Sequence, residues 1–329
     1  MGRSLNTEPI FPDTKFLLAV YPDQGVDPVA WAKEHRDMLH EAITTYGGVL
    51  IRGLDCDREG FSRVARSLED HPLDYTGGIG PRKLVAPEVY NSTDLPPKHA
   101  LAQHHEMSYN AYWPMKVLFY CETPPDEGGA TTICDARRFY KALDPAIKQA
   151  FEHKAVQYIR NYYPAMPYKT IEQTFGTTER AAVDSFCSGL GIETHWKDHE
   201  TLKLIQRAPA VRQHPVTAER LFFNTVVLWH VSYWRHLAEE AFGPVSTEDQ
   251  DKLWQQSQFG DGTDIPDDTI RTILAAYEDQ QCSVQWRKND ILYFDNMLVS
   301  HGRTSFAGRR SILVSFRSPL RAADLPAHA

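Results

Sequence analysis

His104 and Glu106 stand two residues apart in Leu101-Ala-Gln-His-His-Glu-Met-Ser-Tyr109, and His301 follows far down the chain in Asp295-Asn-Met-Leu-Val-Ser-His-Gly-Arg303. Residues i and i+2 of an extended strand project from the same face, so the spacing predicts an imidazole and a carboxylate side by side. A fold that uses all three residues must bring the end of the chain back to its middle. Two histidines and one carboxylate are also the composition of a facial triad, the donor set suited to non-haem Fe(II).

The rest of the sequence narrows the setting. Lys and Arg total 35 against 43 Asp and Glu, a formal net charge of −8. That balance argues against a broad electrostatic footprint for nucleic acid. The five cysteines, Cys56, Cys121, Cys134, Cys187 and Cys282, are scattered without a C-x-x-C pair. They read as reduced thiols of a cytoplasmic protein. No apolar run reaches the length of a membrane span, and Asn6 stands where a myristoylation signal beginning at Gly2 requires Ser or Thr. Neither an anchor nor export is expected.

Along the chain, Asp27-Pro28 supplies a cap and a first-turn proline for a helix that Gly47-Gly48 ends. Val49 to Gly53 reads as a strand, and Asp57 to Leu68 as a second amphipathic helix. Flanking helices are therefore expected over about 27–70. A Gly- and Pro-rich loop containing Gly77-Gly78 and Asn91-Ser92 then leads to the histidine strand. Asn91 and Ser92 are candidate substrate contacts, with turn capping as their alternative role. Beyond it the period shifts to two, with strands at Met115–Cys121 and Thr131–Asp135, a broken helix to Phe151, and a strand over Ala155–Tyr163. Residues of about 164–240 read as an insertion able to form a lid, whose histidines His195, His199, His214, His230 and His236 are expected to be surface or supporting residues. A helix from Asp267 and three strands, at Ser283, Asp290 and Ser311, complete a chain without repeats or an interdomain linker. A mainly β protein with flanking helices is expected, one domain over 1–329 built on a double-stranded β-helix, or jelly roll.

Five segments carry a family resemblance: Gly48-Val-Leu-Ile-Arg-Gly53, His104-His-Glu-Met-Ser-Tyr109, Gly128-Gly-Ala-Thr-Thr-Ile-Cys-Asp135, Trp286-Arg-Lys-Asn-Asp290, and Asp295 to Arg303 followed by Gly308-Arg-Arg310. In this order, and over about residues 45–317, the chain resembles the taurine dioxygenase/clavaminate synthase-like superfamily of Fe(II)- and 2-oxoglutarate-dependent oxygenases. The resemblance implies His104, Glu106 and His301 as iron ligands, with His105 in the variable middle position. It implies 2-oxoglutarate as cosubstrate and O2 as oxidant. Arg310 would clamp the distal carboxylate of 2-oxoglutarate with Thr131 assisting, a task that suits a guanidinium fork. Arg309 should then be a solvated charge, because neighbours along a strand face opposite ways. Arg317 is the expected contact to an anionic substrate group, whereas Arg303 could equally order the loop behind His301.

A carboxylate ligand, where the related halogenases have a small residue, favours hydroxylation, desaturation or cyclisation over chlorination. Glu in place of Asp matches the clavaminate synthase-like branch, with its many amino-acid hydroxylases of peptide natural-product pathways. The expected activity is hydroxylation of an aliphatic carbon of a free or carrier-bound amino acid or related small molecule. Desaturation or ring closure at the same site is the second reading. The alternative of another class is a non-catalytic jelly-roll binding protein, against which an intact cosubstrate clamp argues.

Overall fold

The computed structural model describes residues 5–75, 82–93, 95–164, 169–244 and 253–325. The Gly77-to-Pro81 part of the expected loop lies outside these. Two sheets organise the site. The larger has eight strands, in the order Asn6–Phe11, Phe16–Tyr21, Gly48–Ile51, Ile291–Asp295, Tyr112–Thr123, Ser311–Arg321, Val89–Asn91 and Leu84–Ala86. The smaller has four, Cys282–Val284, Thr131–Asp135, Val299–Arg303 and Leu101–His104. Both interleave early and late segments of the chain, as the spacing of the candidate ligands demands.

Strict alternation gives the large sheet two different faces. Leu292 and Phe294, Val117 and Phe119, and Val314 and Phe316 point into a buried cluster shared with Ile133, Val284 and Val299 of the small sheet. Their neighbours Ile291, Tyr293, Leu118 and Leu313 point the other way, into a second cluster. Two helices, Pro28–Tyr46 and Arg58–Leu68, cover that second face. Each begins where the sequence places a cap: Asp27 accepts from the Ala30 N–H at 2.7 Å, and Asp57 from the Gly60 N–H at 2.7 Å. The first helix connects two parallel strands, Phe16–Tyr21 and Gly48–Ile51.

The stretch read as an insertion contains more order than expected. Ile192–Trp196, Leu202–Ala208, Val156–Tyr162 and Gln255–Phe259 form a sheet of their own, adjacent in that order. Val226–Trp229 and Val231–Phe242 are helices, separated by His230. All five cysteines are free, and among the described residues no helix is long and apolar enough to cross a membrane.

Candidate metal centre and its cavity

His104 ends the strand Leu101–His104 and pairs directly across the ladder with His301 of Val299–Arg303. Opposed residues of an antiparallel pair project to one side at close range, and the two rings lie 4.3 Å apart. Gly302 permits this approach, since a Cβ there would lie 2.4 Å from the Leu101 carbonyl oxygen and 2.7 Å from Thr132 Oγ1. Rings of the large sheet, Phe119 and Phe294, flank His301 at 5.1 and 5.5 Å.

Glu106 completes the group by a different route from the expected strand. The strand stops at His104, and the chain turns through Met107, whose φ is 55°. Asn296 holds this turn: its Oδ1 accepts from the Glu106 N–H at 2.9 Å, and its Nδ2 donates to the carbonyls of Glu106 and Pro114, both at 2.9 Å. Donor atoms of His104, Glu106 and His301 all come within 4.8 Å of one another, and the three residues are buried.

The donor chemistry fits a divalent transition metal. Nδ1 of His104 lies 3.0 Å from the Ala102 carbonyl, which fixes a hydrogen on Nδ1 and leaves Nε2 as the lone-pair nitrogen, 4.0 Å from Glu106 Oε1. Burial lowers the pKa of His104, although Glu106 opposes the shift. Burial lowers that of His301 further, aided by His104 and Arg82. Both imidazoles are thus kept neutral, as a ligand must be. Nδ1 of His301 is buried without a hydrogen-bond partner. His105 stays outside the group: it is buried, its Nδ1 lies 2.6 Å from the Asn296 carbonyl, and its ring meets Phe223.

One residue at the centre was not anticipated. Arg82 Nη2 lies 2.8 and 2.7 Å from the two Glu106 oxygens. Its guanidinium sits over the rings of Tyr75 and Phe316 at 4.7 and 5.1 Å, and Nη1 donates to the Ser92 carbonyl. Burial works against the charge, but Glu106 and Tyr75 together outweigh it and raise the arginine's pKa. In sequence Arg82 is one charge in a polar loop, without periodicity or motif to mark it.

The remaining candidates separate by position. A cavity of about 550 Å³ opens from His104 and Glu106, walled largely by apolar side chains such as Leu95, Leu228, Leu237, Trp234 and Trp254. Ser92 lines it. Asn91 is not in its wall and accepts the Lys83 N–H, the capping role. Arg317, the expected substrate contact, is not brought there: it is fully buried on the large sheet, 2.8 Å from Glu88, with Nε donating to Ser315 Oγ. Alternation turns it away from the cavity, since Phe316 before it faces the cluster shared with the small sheet, and Glu88 on the other side holds its charge.

Arg310 donates from Nε to the Gly129 carbonyl at 3.0 Å, two residues before Thr131, whose Oγ1 accepts from Trp286 Nε1. Burial lowers the Arg310 pKa to about 10, with Arg303 adding to the shift, so the group is still charged at neutral pH. Among the described residues it faces no carboxylate. Arg309 is exposed. Arg303 orders a loop, donating to the carbonyls of Leu95, Pro96 and His99. His195, His199 and His236 are exposed, whereas His214 and His230 are buried and bonded to Asp295 and the Ile265 carbonyl.

Comparisons place this geometry among known proteins. A family model described as taurine catabolism dioxygenase TauD, TfdA family, matches residues 9–316. The dapdiamide synthesis protein DdaC of Enterobacter agglomerans is 28% identical over 324 residues, 97% of this chain and 96% of that protein. A clavaminate synthase-like protein of Arabidopsis thaliana is 27% identical over 288 residues, covering 84% and 82% of the two chains. PvcB, described as an Fe, alpha-ketoglutarate dependent oxygenase from an isonitrile synthetic pathway and solved from Pseudomonas aeruginosa, shares the fold with a TM-score of 0.52 at 15% identity, over 96% of this chain and 94% of PvcB.

Proposed function

We propose, from the premise that this chain belongs to the TauD/TfdA family of dioxygenases, that its site oxidises an aliphatic carbon of an amino acid or a related small molecule of specialised metabolism. The chain is a 2-oxoglutarate-dependent dioxygenase, using Fe(II), 2-oxoglutarate and O2. The observation that carries the reading is the convergence of His104, Glu106 and His301, the first two lining a large apolar cavity. The ligand roles assigned to these three residues, the single domain of 1–329 and its double-stranded β-helix are parts of the same proposal.

Ferrous iron with 2-oxoglutarate supplies the activation of O2 when bound. The chain's own contributions follow from its chemistry. His104 and His301 would hold the metal through neutral nitrogens and Glu106 through its carboxylate. Arg310 receives the distal carboxylate of 2-oxoglutarate, with Thr131 beside it. The apolar cavity excludes water and holds the hydrocarbon part of the substrate, while Ser92 at its wall offers a polar anchor. The likeness to the dapdiamide synthesis protein over nearly the whole chain supports a substrate from such a pathway, free or tethered to a carrier. The carboxylate ligand favours hydroxylation, desaturation or cyclisation over halogenation; of these we assign hydroxylation, and product analysis separates it from desaturation or ring closure.

Anaerobic titration of the purified chain with Fe(II) and 2-oxoglutarate tests this. The weak visible charge-transfer band of the chelate should form in the wild type and weaken in Arg310→Ala. Bound iron without a band would overturn the oxygenase reading. Once the band forms, shifts on adding amino acids and their amides identify the substrate class.

A further inference from the structure

The contact between Arg82 and Glu106 poses a problem of charge. Nη2 meets both carboxylate oxygens, and the Arg82 side chain is 8% exposed. A metal ion needs at least one of those oxygens. A buried guanidinium that loses its carboxylate carries a large desolvation penalty unless another anion arrives. Among the described residues the cavity's wall offers none free: the one other acidic lining residue, Glu240, is already paired with Lys98 and His99.

We propose that Arg82 is a resident counter-cation of the metal site, which competes with the metal for Glu106 and thereby makes metal and 2-oxoglutarate bind as a coupled pair. The inference rests on the functional reading above and deepens it. Without ligands, Arg82 and Glu106 neutralise each other. A dication alone leaves excess positive charge in a buried site. A dication together with the 2-oxoglutarate dianion adds no net charge to the site, so each ligand favours the other beyond what direct chelation provides. By linkage the effect is reciprocal.

The sign of the effect separates this role from simple support. If Arg82 only held Glu106 in place, its removal would loosen the ligand and weaken metal binding. If it competes, its removal strengthens binding of the metal alone. The backbone supports this separation, because Asn296 fixes the Glu106 main chain independently of Arg82.

The test uses Mn(II) as a metal that does not react with O2, measured by anaerobic calorimetry on the full chain with and without saturating 2-oxoglutarate. Arg82→Met should bind Mn(II) alone roughly tenfold more tightly than wild type, and the tightening by 2-oxoglutarate should shrink by a similar factor. Arg82→Lys, which keeps the charge, should retain the wild-type pattern. Arg82→Gln, which loses the charge but keeps a donor for the Ser92 carbonyl, serves if the methionine variant does not fold. Unchanged or weaker Mn(II) binding in the neutral variants, with coupling as in wild type, would overturn the proposal while leaving the oxygenase reading intact. A wild type that binds neither Mn(II) nor 2-oxoglutarate would remove the functional reading, and this one with it.

Discussion

Asp295 and Glu106 are buried carboxylates on either side of Asn296, and they are held in opposite ways. Asp295 sits at a strand end where everything around it is fixed. It accepts from the N–H groups of Met297 and Leu298, from Lys116 Nζ at 2.8 Å, and from His214 at 3.2 Å. Burial alone would push its pKa up, yet Lys116 and His214 hold it well below the usual carboxylate range. Glu106 has a backbone clamped as firmly, but its oxygens meet one guanidinium and an open cavity. A carboxylate saturated by several partners is committed to the fold. One held by a single side chain and facing a cavity has room for another partner.

The sharpest way to break this contrast is to remove each group in turn. His301→Ala, which deletes a donor next to Glu106, should reduce succinate release from 2-oxoglutarate by more than about a hundredfold, since even changes to residues supporting a ligand cost 10–100-fold. Its circular dichroism should stay that of a folded chain. Retained activity in this variant would mean that the site works without the triad.

Asp295→Asn should act in the reverse sense. Replacing one member of a buried ion pair leaves Lys116 without its counter-charge, at a cost of about 3 kcal/mol read from urea unfolding. Mn(II) affinity should change far less than in His301→Ala. A large loss of metal affinity with unchanged stability would erase the distinction between the two regions.

A pH-dependent effect joins them through His105, which bonds the Asn296 carbonyl while its Nε2 is buried without a partner. Burial lowers its pKa to about 4 from an ordinary value of 6.5. The unfolded chain therefore takes up a proton on this ring before the folded chain does, and stability falls with pH between those two values. Between 6.5 and 4 the slope from this group approaches about 1.4 kcal/mol per pH unit, so its contribution to stability is undiminished above 6.5 and fully lost below 4. Urea midpoints across this range should show a shallower decline in His105→Phe than in wild type. Parallel curves would place the acid sensitivity elsewhere.

Much of this was legible before the structure, and the reasons are local. Asp27 and Asp57 mark helix starts because a cap needs nothing beyond its own turn. The candidate ligand histidines stand out because few chemistries use that residue set. Strands such as Ile192–Trp196 were not legible, because charged and polar residues interrupt a pattern in which no position is fully buried. Phe16–Tyr21 was missed for the opposite reason: its nearly continuous burial leaves no alternation to detect. Arg82 and Arg317 exchanged their expected importance, since which arginine reaches a cavity depends on contacts between segments far apart in sequence. The strand periodicity assigned to Glu106 failed because the turn at Met107 depends on Asn296 from the other end of the chain.

Tyr233 belongs to the helix that walls the cavity, yet its phenol accepts from the Ala102 N–H at 2.9 Å and donates to the Ala100 carbonyl at 3.2 Å, on and beside the strand that ends in His104. Anyone grafting that helix from a relative to alter substrate range would exchange two parts at once, the shape of the chamber and the brace behind the strand that carries His104. Neighbouring positions such as Leu237 are open to redesign, whereas Tyr233 should travel unchanged with every graft.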